Sequence, residues 1–319
     1  MSSTSMPTSR AKAKNVPFRQ RLFRNPEHLT GWLFVAPTAI FSLVFFAYPV
    51  FGALYYSFTR WDMQTAPIWV GLQNYAHLFT DRVNFPYFWH SLVVTLIYMV
   101  IAIPLSLVTA LTLAMFINAL RRGQDLFKVL FYLPVITTEV AVATIWKWLY
   151  DPLFGLINLG LKLFGIHGQD WLNQPTTAIP ALALISAWQC GNALIIFLAG
   201  LKSIPLDYYE AARIDGASTW QSFRWITIPL LRPTTFFLLI TGQIAGFQLF
   251  GLVYVLYGAG GGSIGGPRQV GLSYVLELYN QAFRYFQMGP ACAMSMLLFS
   301  VIAVVTFVQF RFIPQTADA

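Results

Sequence analysis

Residues 204–233 read IPLDYYEAARIDGASTWQSFRWITIPLLRP. After Pro205, Asp207 is followed three residues on by Glu210, the spacing at which two side chains cap each other's backbone amides. A helix is therefore expected through Tyr208, Tyr209, Ala211, Ala212 and Arg213. Gly216 then offers a left-handed stop. Ser218 and Gln221 repeat the capping spacing and start a second helix through Trp220, Phe223 and Ile226, ending at Pro229. Ala211, Ala212, Gly216 and Ala217 form a narrow strip that another backbone can approach, flanked by Tyr208, Ile214, Trp220 and Phe223. Such a surface suits an amphipathic helix lying on a membrane, and it equally suits an element that docks a partner.

Outward from this elbow the chain is apolar on both sides. Charge-free intervals run from Trp32 to Tyr56, Ser91 to Leu120, Pro180 to Leu201, Thr234 to Tyr257 and Met288 to Phe310. A sixth interval, Leu126 to Trp148, carries Lys128 and Lys147 near its ends and Glu139 in the middle. Terminal lysines snorkel to headgroups and a central acid faces a protein interior, so this interval also reads as a span. The 319 residues are 57% hydrophobic and only 10% charged, with a mean hydropathy of +0.60. That composition excludes an ordinary soluble enzyme, which carries about 25% charged residues, and a disordered chain. An all-α, six-span integral membrane protein is expected, with a tail over 1–30, a membrane domain over 31–312 and a second tail over 313–319.

Six spans put both termini on one side. Fourteen Lys and Arg residues fall on that side, among them Arg10, Arg24, Arg121, Arg122, Arg213 and Arg311; the other side holds Arg60, Arg82, Lys147, Lys162, Arg268 and Arg284. The positive-inside bias places both termini, and the elbow, in the cytoplasm. The net charge of +8 is then topogenic and directed at membrane lipid, with no nucleic-acid partner. The first span begins only after a long basic tail and reads as a retained signal anchor. Outside, Thr59 to His90 and Tyr150 to Ile179 are rich in aromatic residues, and Leu153 to Phe164 reads as an interfacial segment.

Polar groups inside the spans are the candidates for a solute pathway. They are Glu139 in the third span, Trp188, Gln189 and Asn192 in the fourth, and Gln243, Phe247 and Gln248 in the fifth. Amides present paired donors and acceptors to a polar solute, and aromatic faces pack against C–H surfaces. For each amide, a hydrogen bond between helices is the competing reading. Cys190 and Cys292 have no spacing that suggests a disulfide or metal, and His28, His77, His90 and His167 are too scattered for a metal or a catalytic triad. No GKS or GKT occurs, so the chain has no Walker A motif, and Gly258 to Gly266 lacks the Lys-Ser of a phosphate cradle. No cofactor motif is present.

The run Tyr209 to Ala217, continued by Trp220, Phe223, Ile228-Pro229-Leu230 and Arg232-Pro233, resembles the EAA loop of binding-protein-dependent ABC importer permeases. Leu133-Pro134 with Trp146, Gly155 to Asn158, Trp171-Leu172, Trp188, Ala199-Gly200-Leu201 with Ile204-Pro205, and Phe283 to Gly289 extend the resemblance. It is closest in kind to the carbohydrate-uptake branch, the first permease of a heterodimeric pair, maltose or glycerol-3-phosphate type. The resemblance implies a type I permease of a bacterial or archaeal plasma membrane. The loop 204–233 would be a coupling element, with Glu210, Ala211, Ala212, Asp215, Gly216 and Ala217 seated in a separate ATPase subunit. The expected partners are a second permease, two ATPase subunits and an extracytoplasmic solute-binding protein. No catalytic site is expected, and the family's short Gly-Gly-Pro turn is longer here, at Gly258 to Gly266. The rival transport reading is an ion-coupled secondary transporter, which would show internal repeats and several midplane acids; an intramembrane enzyme would need a buried catalytic cluster.

Overall fold

The computed structural model describes residues 26–258 and 265–312; the tails expected up to residue 25 and over 313–319, and the glycine-rich stretch 259–264, lie outside them. The chain divides into two units, one reaching Ala53 and one starting at Leu54. In the first, an apolar run forms α1 (Pro26–Ser42), a π turn (Leu43–Ala47) and the start of α2 (Tyr48–Ser57). The helix begins at Pro26, inside the stretch assigned above to the tail. The apolar stretch Gly31–Ser57 has 27 residues. At about 1.5 Å per residue it is long enough for a hydrocarbon core of about 30 Å.

The second unit starts with a two-residue hairpin, β1 (Thr59–Arg60) against β2 (Ile68–Trp69), antiparallel, with Thr59 opposite Trp69. It continues through α3 (Gln73–Thr80) and the 32-residue α4 (Phe88–Ala119). Next come α5 (Gln124–Ile136), α6 (Glu139–Leu149), α7 (Leu156–Leu163), α8 (Ala178–Trp188) and α9 (Gly191–Ser203). The elbow comprises α10 (Leu206–Ile214), α11 (Thr219–Ser222), a π turn (Phe223–Thr227) and α12 (Ile228–Leu230). The chain ends in α13 (Arg232–Phe247), α14 (Gly251–Gly258), α15 (Tyr274–Tyr279), a π turn (Asn280–Arg284) and α16 (Met288–Phe312). Four helical stretches are long and apolar enough to cross a membrane, and two bent helix pairs bring the number to as many as six.

The third and fourth expected spans are each a bent pair of helices. α5 and α6 meet at 97°, and α8 and α9 at 51°. At the first break Thr138 leaves the helical region and its hydroxyl accepts the Ala141 amide at 3.4 Å, so a fresh helix starts there. Glu139 lies in the first turn of α6, at the break in the middle of this bent pair. α9 approaches α5 so closely that a Cβ at Gly191 would lie 2.7 Å from the Phe131 carbonyl oxygen. Two apolar clusters hold the second unit together. One gathers Val142, Ala183, Ile185, Val253, Leu276 and Met294. The other, near the elbow, gathers Ala114, Ile117, Leu194, Phe197, Leu231 and Leu238.

Candidate functional site

The elbow's glycine turn forms as expected. Gly216 has φ +80°, its amide donates to the Arg213 carbonyl at 3.1 Å, and the Ala217 amide donates to the Ala212 carbonyl at 2.9 Å. These two bonds satisfy the last carbonyls of α10 in the six-to-one pattern of a left-handed cap. The capping box at Ser218 also forms, with Gln221 Oε1 accepting the Ser218 amide at 2.7 Å. Two expectations need correction. The Asp207–Glu210 box is absent because α10 starts at Leu206, after Pro205, with no side-chain cap. The second helix does not end at Pro229, since helical torsions run through it to Leu231 directly after the widened turn at Phe223–Thr227. The Tyr209 hydroxyl lies 2.9 Å from Thr227 Oγ1 and ties the two arms together. Glu210, Ala211, Asp215 and Gly216 are exposed, Ala212 and Ala217 half-buried, and Leu206, Ile214, Trp220 and Trp225 expose their apolar side chains beside them.

A cavity of about 540 Å³ opens between α4, the α8–α9 break and α13. Of the seven pathway candidates, Gln189 and Asn192 line it, brought together because the 51° bend falls between them. Tyr98, Ser106, Ser186 and Thr241 complete its polar lining, and the Tyr98 hydroxyl lies 2.6 Å from Ser186 Oγ. Gly242 and Gly246, one turn apart on α13, let α4 close in. A Cβ at Gly246 would come within 2.8 Å of Met99 Cγ. Sequence reasoning missed these four hydroxyls because a Ser or Thr in an apolar helix can satisfy itself on a carbonyl one turn back. Thr241 does so, donating to the Phe237 carbonyl at 3.0 Å.

The other five candidates lie elsewhere. Gln243 is buried and accepts a bond from Gln309 Nε2 of α16, the interhelical role. Phe247 packs in the larger apolar cluster, Gln248 is exposed at the end of α13, and Trp188 meets Trp146 edge-on at 5.7 Å. Glu139 rests against α14, where a Cβ on Gly251 would collide with its carboxylate.

The most buried acid is one the sequence reading passed over. Glu277 of α15 is 2% exposed; its Oε1 accepts from Gln281 Nε2 at 2.7 Å, and burial pushes its carboxyl up against the opposing effect of the Gln281 and Asn280 amides. Its signal was an acid four residues before an amide on a short helix, outside the long charge-free runs. Asn158 is fully buried and fully bonded. Its Nδ2 donates to the carbonyls of Asp151 (3.2 Å) and Gln169 (2.9 Å), while Oδ1 accepts the Gln169 amide and Trp171 Nε1.

Residues 78–317 match the family model described as binding-protein-dependent transport system inner membrane component. The chain is 39% identical over 287 residues to a probable ABC transporter permease protein, YesP, of Bacillus subtilis (strain 168), covering 89% of this chain and 90% of that protein. It is 34% identical over 288 residues to the lactose transport system permease protein LacF of Rhizobium radiobacter, covering 88% and 93%. In fold it is similar to a chain of a bacterial alginate ABC transporter solved in complex with an alginate pentasaccharide-bound periplasmic protein. The TM-score is 0.75 at 22% identity, over 89% of this chain and 93% of that one.

Proposed function

This chain belongs to the binding-protein-dependent transport system inner membrane components, and from that membership we propose that it lines the pathway for a sugar or related polyol and is driven through its elbow by separate ATPase subunits. It is a multi-pass inner-membrane permease of the ABC importer class with a type I fold. The observation that carries the proposal is the cavity at the α8–α9 break, whose amides and hydroxyls converge on a space of about 540 Å³. Such a lining offers paired donors and acceptors to a polyhydroxylated solute while apolar walls keep water out. The lactose permease relative and the saccharide-bound alginate complex support the choice of solute class.

In this reading both termini and loop 204–233 lie in the cytoplasm, in accord with the basic residues on that side. The exposed strip of Ala211, Gly216 and the half-buried Ala212 and Ala217 seats in an ATPase groove, with Glu210 and Asp215 at its rim. A second permease closes the open side of the cavity, and a solute-binding protein delivers to the opposite face. The chain carries no catalytic step of its own. Asn192→Leu removes one amide from the lining without touching the elbow. Uptake of radiolabelled sugar by the assembled importer should fall by about 2- to 10-fold, the worth of one lost polar contact, with ATP hydrolysis retained. Unchanged uptake overturns the pathway assignment.

A further inference from the structure

On the face away from the elbow, a second cavity of about 450 Å³ lies where the end of α6 and the 150–177 connection meet the end of α14. Its rim carries Lys147, Asp151, Asp170 and Asn173, and its walls include the rings of Tyr150 and Tyr257. Among the described residues, ion pairs form only at His77–Asp81 and Asp125–Lys128. Lys147 and both cavity carboxylates therefore remain uncompensated by one another.

The site is built rather than incidental. The Tyr150 hydroxyl donates to the Ala181 carbonyl at 3.0 Å and the Tyr257 hydroxyl to the Leu172 carbonyl at 2.9 Å, which fixes both rings. Gly266 and Gly271 press their backbones on the Tyr257 ring, and a Cβ at either would run into it. Asp151 Oδ1 accepts the amides of Leu153 (2.9 Å) and Phe154 (2.8 Å), bonds that hold its carboxyl below the usual range and keep it ionised. Asn173 Nδ2 donates to both oxygens of Asp170 at 3.0 Å. Beneath them the Asn158 network ties the Asp151 and Gln169 backbones into one piece.

The chemistry selects the ligand. A charged solute would meet a like charge here, because both signs line the rim, whereas a neutral polyol can donate to the carboxylates and accept from Lys147. The exposed Pro152 and Pro267 side chains at the rim give a small apolar surface for the C–H side of a sugar ring, while the buried tyrosines hold the floor in place. We propose that this cavity is an external subsite that holds one end of a neutral oligosaccharide before it enters the membrane cavity. The proposal rests on the import function and orientation given above. The subsite acts on capture, and the membrane cavity acts on translocation.

The test uses the full chain in lipid nanodiscs under a brief pulse of amine acetylation, read by mass spectrometry, with lactose, maltotriose or arabinotriose each at about 5 mM. At least one saccharide should slow acetylation of Lys147 by about threefold or more, with exposed Lys162 unchanged, and Asp170→Asn should abolish that protection. In cells, Lys147→Gln and Asp170→Asn should each raise the half-saturating concentration for uptake by about threefold with little change in maximal rate. Lys147 forms no ion pair here, so its variant leaves the fold intact. Absence of protection by all three saccharides, or equal protection of Lys162, overturns the proposal. So does protection by a solute-binding protein alone that no sugar alters, which would assign the cavity to protein docking. If Asn192→Leu leaves uptake untouched while Lys147 protection stands, the membrane-cavity reading fails and the external subsite survives.

Discussion

Gly216 offers a sharp test of whether the elbow works as a docked lever. Its φ of +80° lies in the left-handed region, and a Cβ added there meets nothing within 4 Å. Gly216→Ala therefore costs only the backbone penalty, about 1–2 kcal/mol, with no steric contribution from this chain. That corresponds to a shift of roughly 5- to 30-fold between the closed and frayed turn. Hydrogen exchange of the Ala217 amide, whose bond to the Ala212 carbonyl closes the turn, should accelerate by that factor. Gly216→Asn, which tolerates this conformation, should exchange nearly as slowly as the natural chain. Gly216→Asp has the same shape as the asparagine but adds a charge, so the two variants should share the exchange rate and diverge only on a docked surface. In the assembled importer, Gly216→Asp and Glu210→Lys are expected to hydrolyse ATP without matching sugar uptake, while Gly216→Asn stays coupled. Identical coupling in the Asp and Asn variants would refute a docked elbow, and identical exchange in all variants would refute the strained turn.

Three further outcomes follow from particular contacts. Asn158→Ala leaves the Gln169 amide and the half-buried Trp171 Nε1 without acceptors. It should lower unfolding stability by about 3 kcal/mol, read as a large drop in thermal midpoint of the detergent-solubilised chain. Gly251→Ala brings a methyl against the Glu139 carboxylate, the free end of an exposed side chain that can swing aside, so unfolding stability should change by less than about 1 kcal/mol; a larger loss would contradict this reading. Asp81 is held down to about 2, chiefly by Asn84, whose side chain and amide bond it. Because the folded value is depressed, its contribution is complete above the unfolded value of about 3.9 and lost as the pH falls through about 2. Amide protection at Val83 and Asn84 should fade over that window and become pH-independent in Asp81→Asn.

What the sequence revealed was what short-range chemistry decides. Gly216 and the Ser218–Gln221 pair specify their turns within four residues, and both were legible. The break before Glu139 was not, because a long apolar run reads alike whether straight or folded back. Thr138 followed by an acid was the available sign, a helix start hidden inside a hydrophobic stretch. Gln189 and Gln243 are chemically identical, and in the sequence both fall inside charge-free intervals. One lines a cavity and the other bonds Gln309, sixty-six residues away, and only the tertiary arrangement separates them. Glu277 escaped notice because its burial depends on α4 and α16 closing over a short helix that composition marks as a loop.

The π turn at Phe223–Thr227 carries a consequence for how this chain tolerates change in length. From Ser222 through Ile228 to Leu231 every junction keeps right-handed helical torsions, and the Leu231 amide bonds the Thr227 carbonyl at 3.0 Å. The elbow and the fifth crossing are thus rotationally phased, and the widened turn accommodates one residue more than a regular helix would hold. Deleting one residue within the widened turn would return it to regular helix with little change of phase, whereas deleting one from the regular helix between Arg232 and Ile240 would swing Gly242 and Gly246 by about 100° relative to Trp220, turning their bare backbone away from α4. Outside the widened turn, between Ser218 and Phe247 the count of residues is itself a specification.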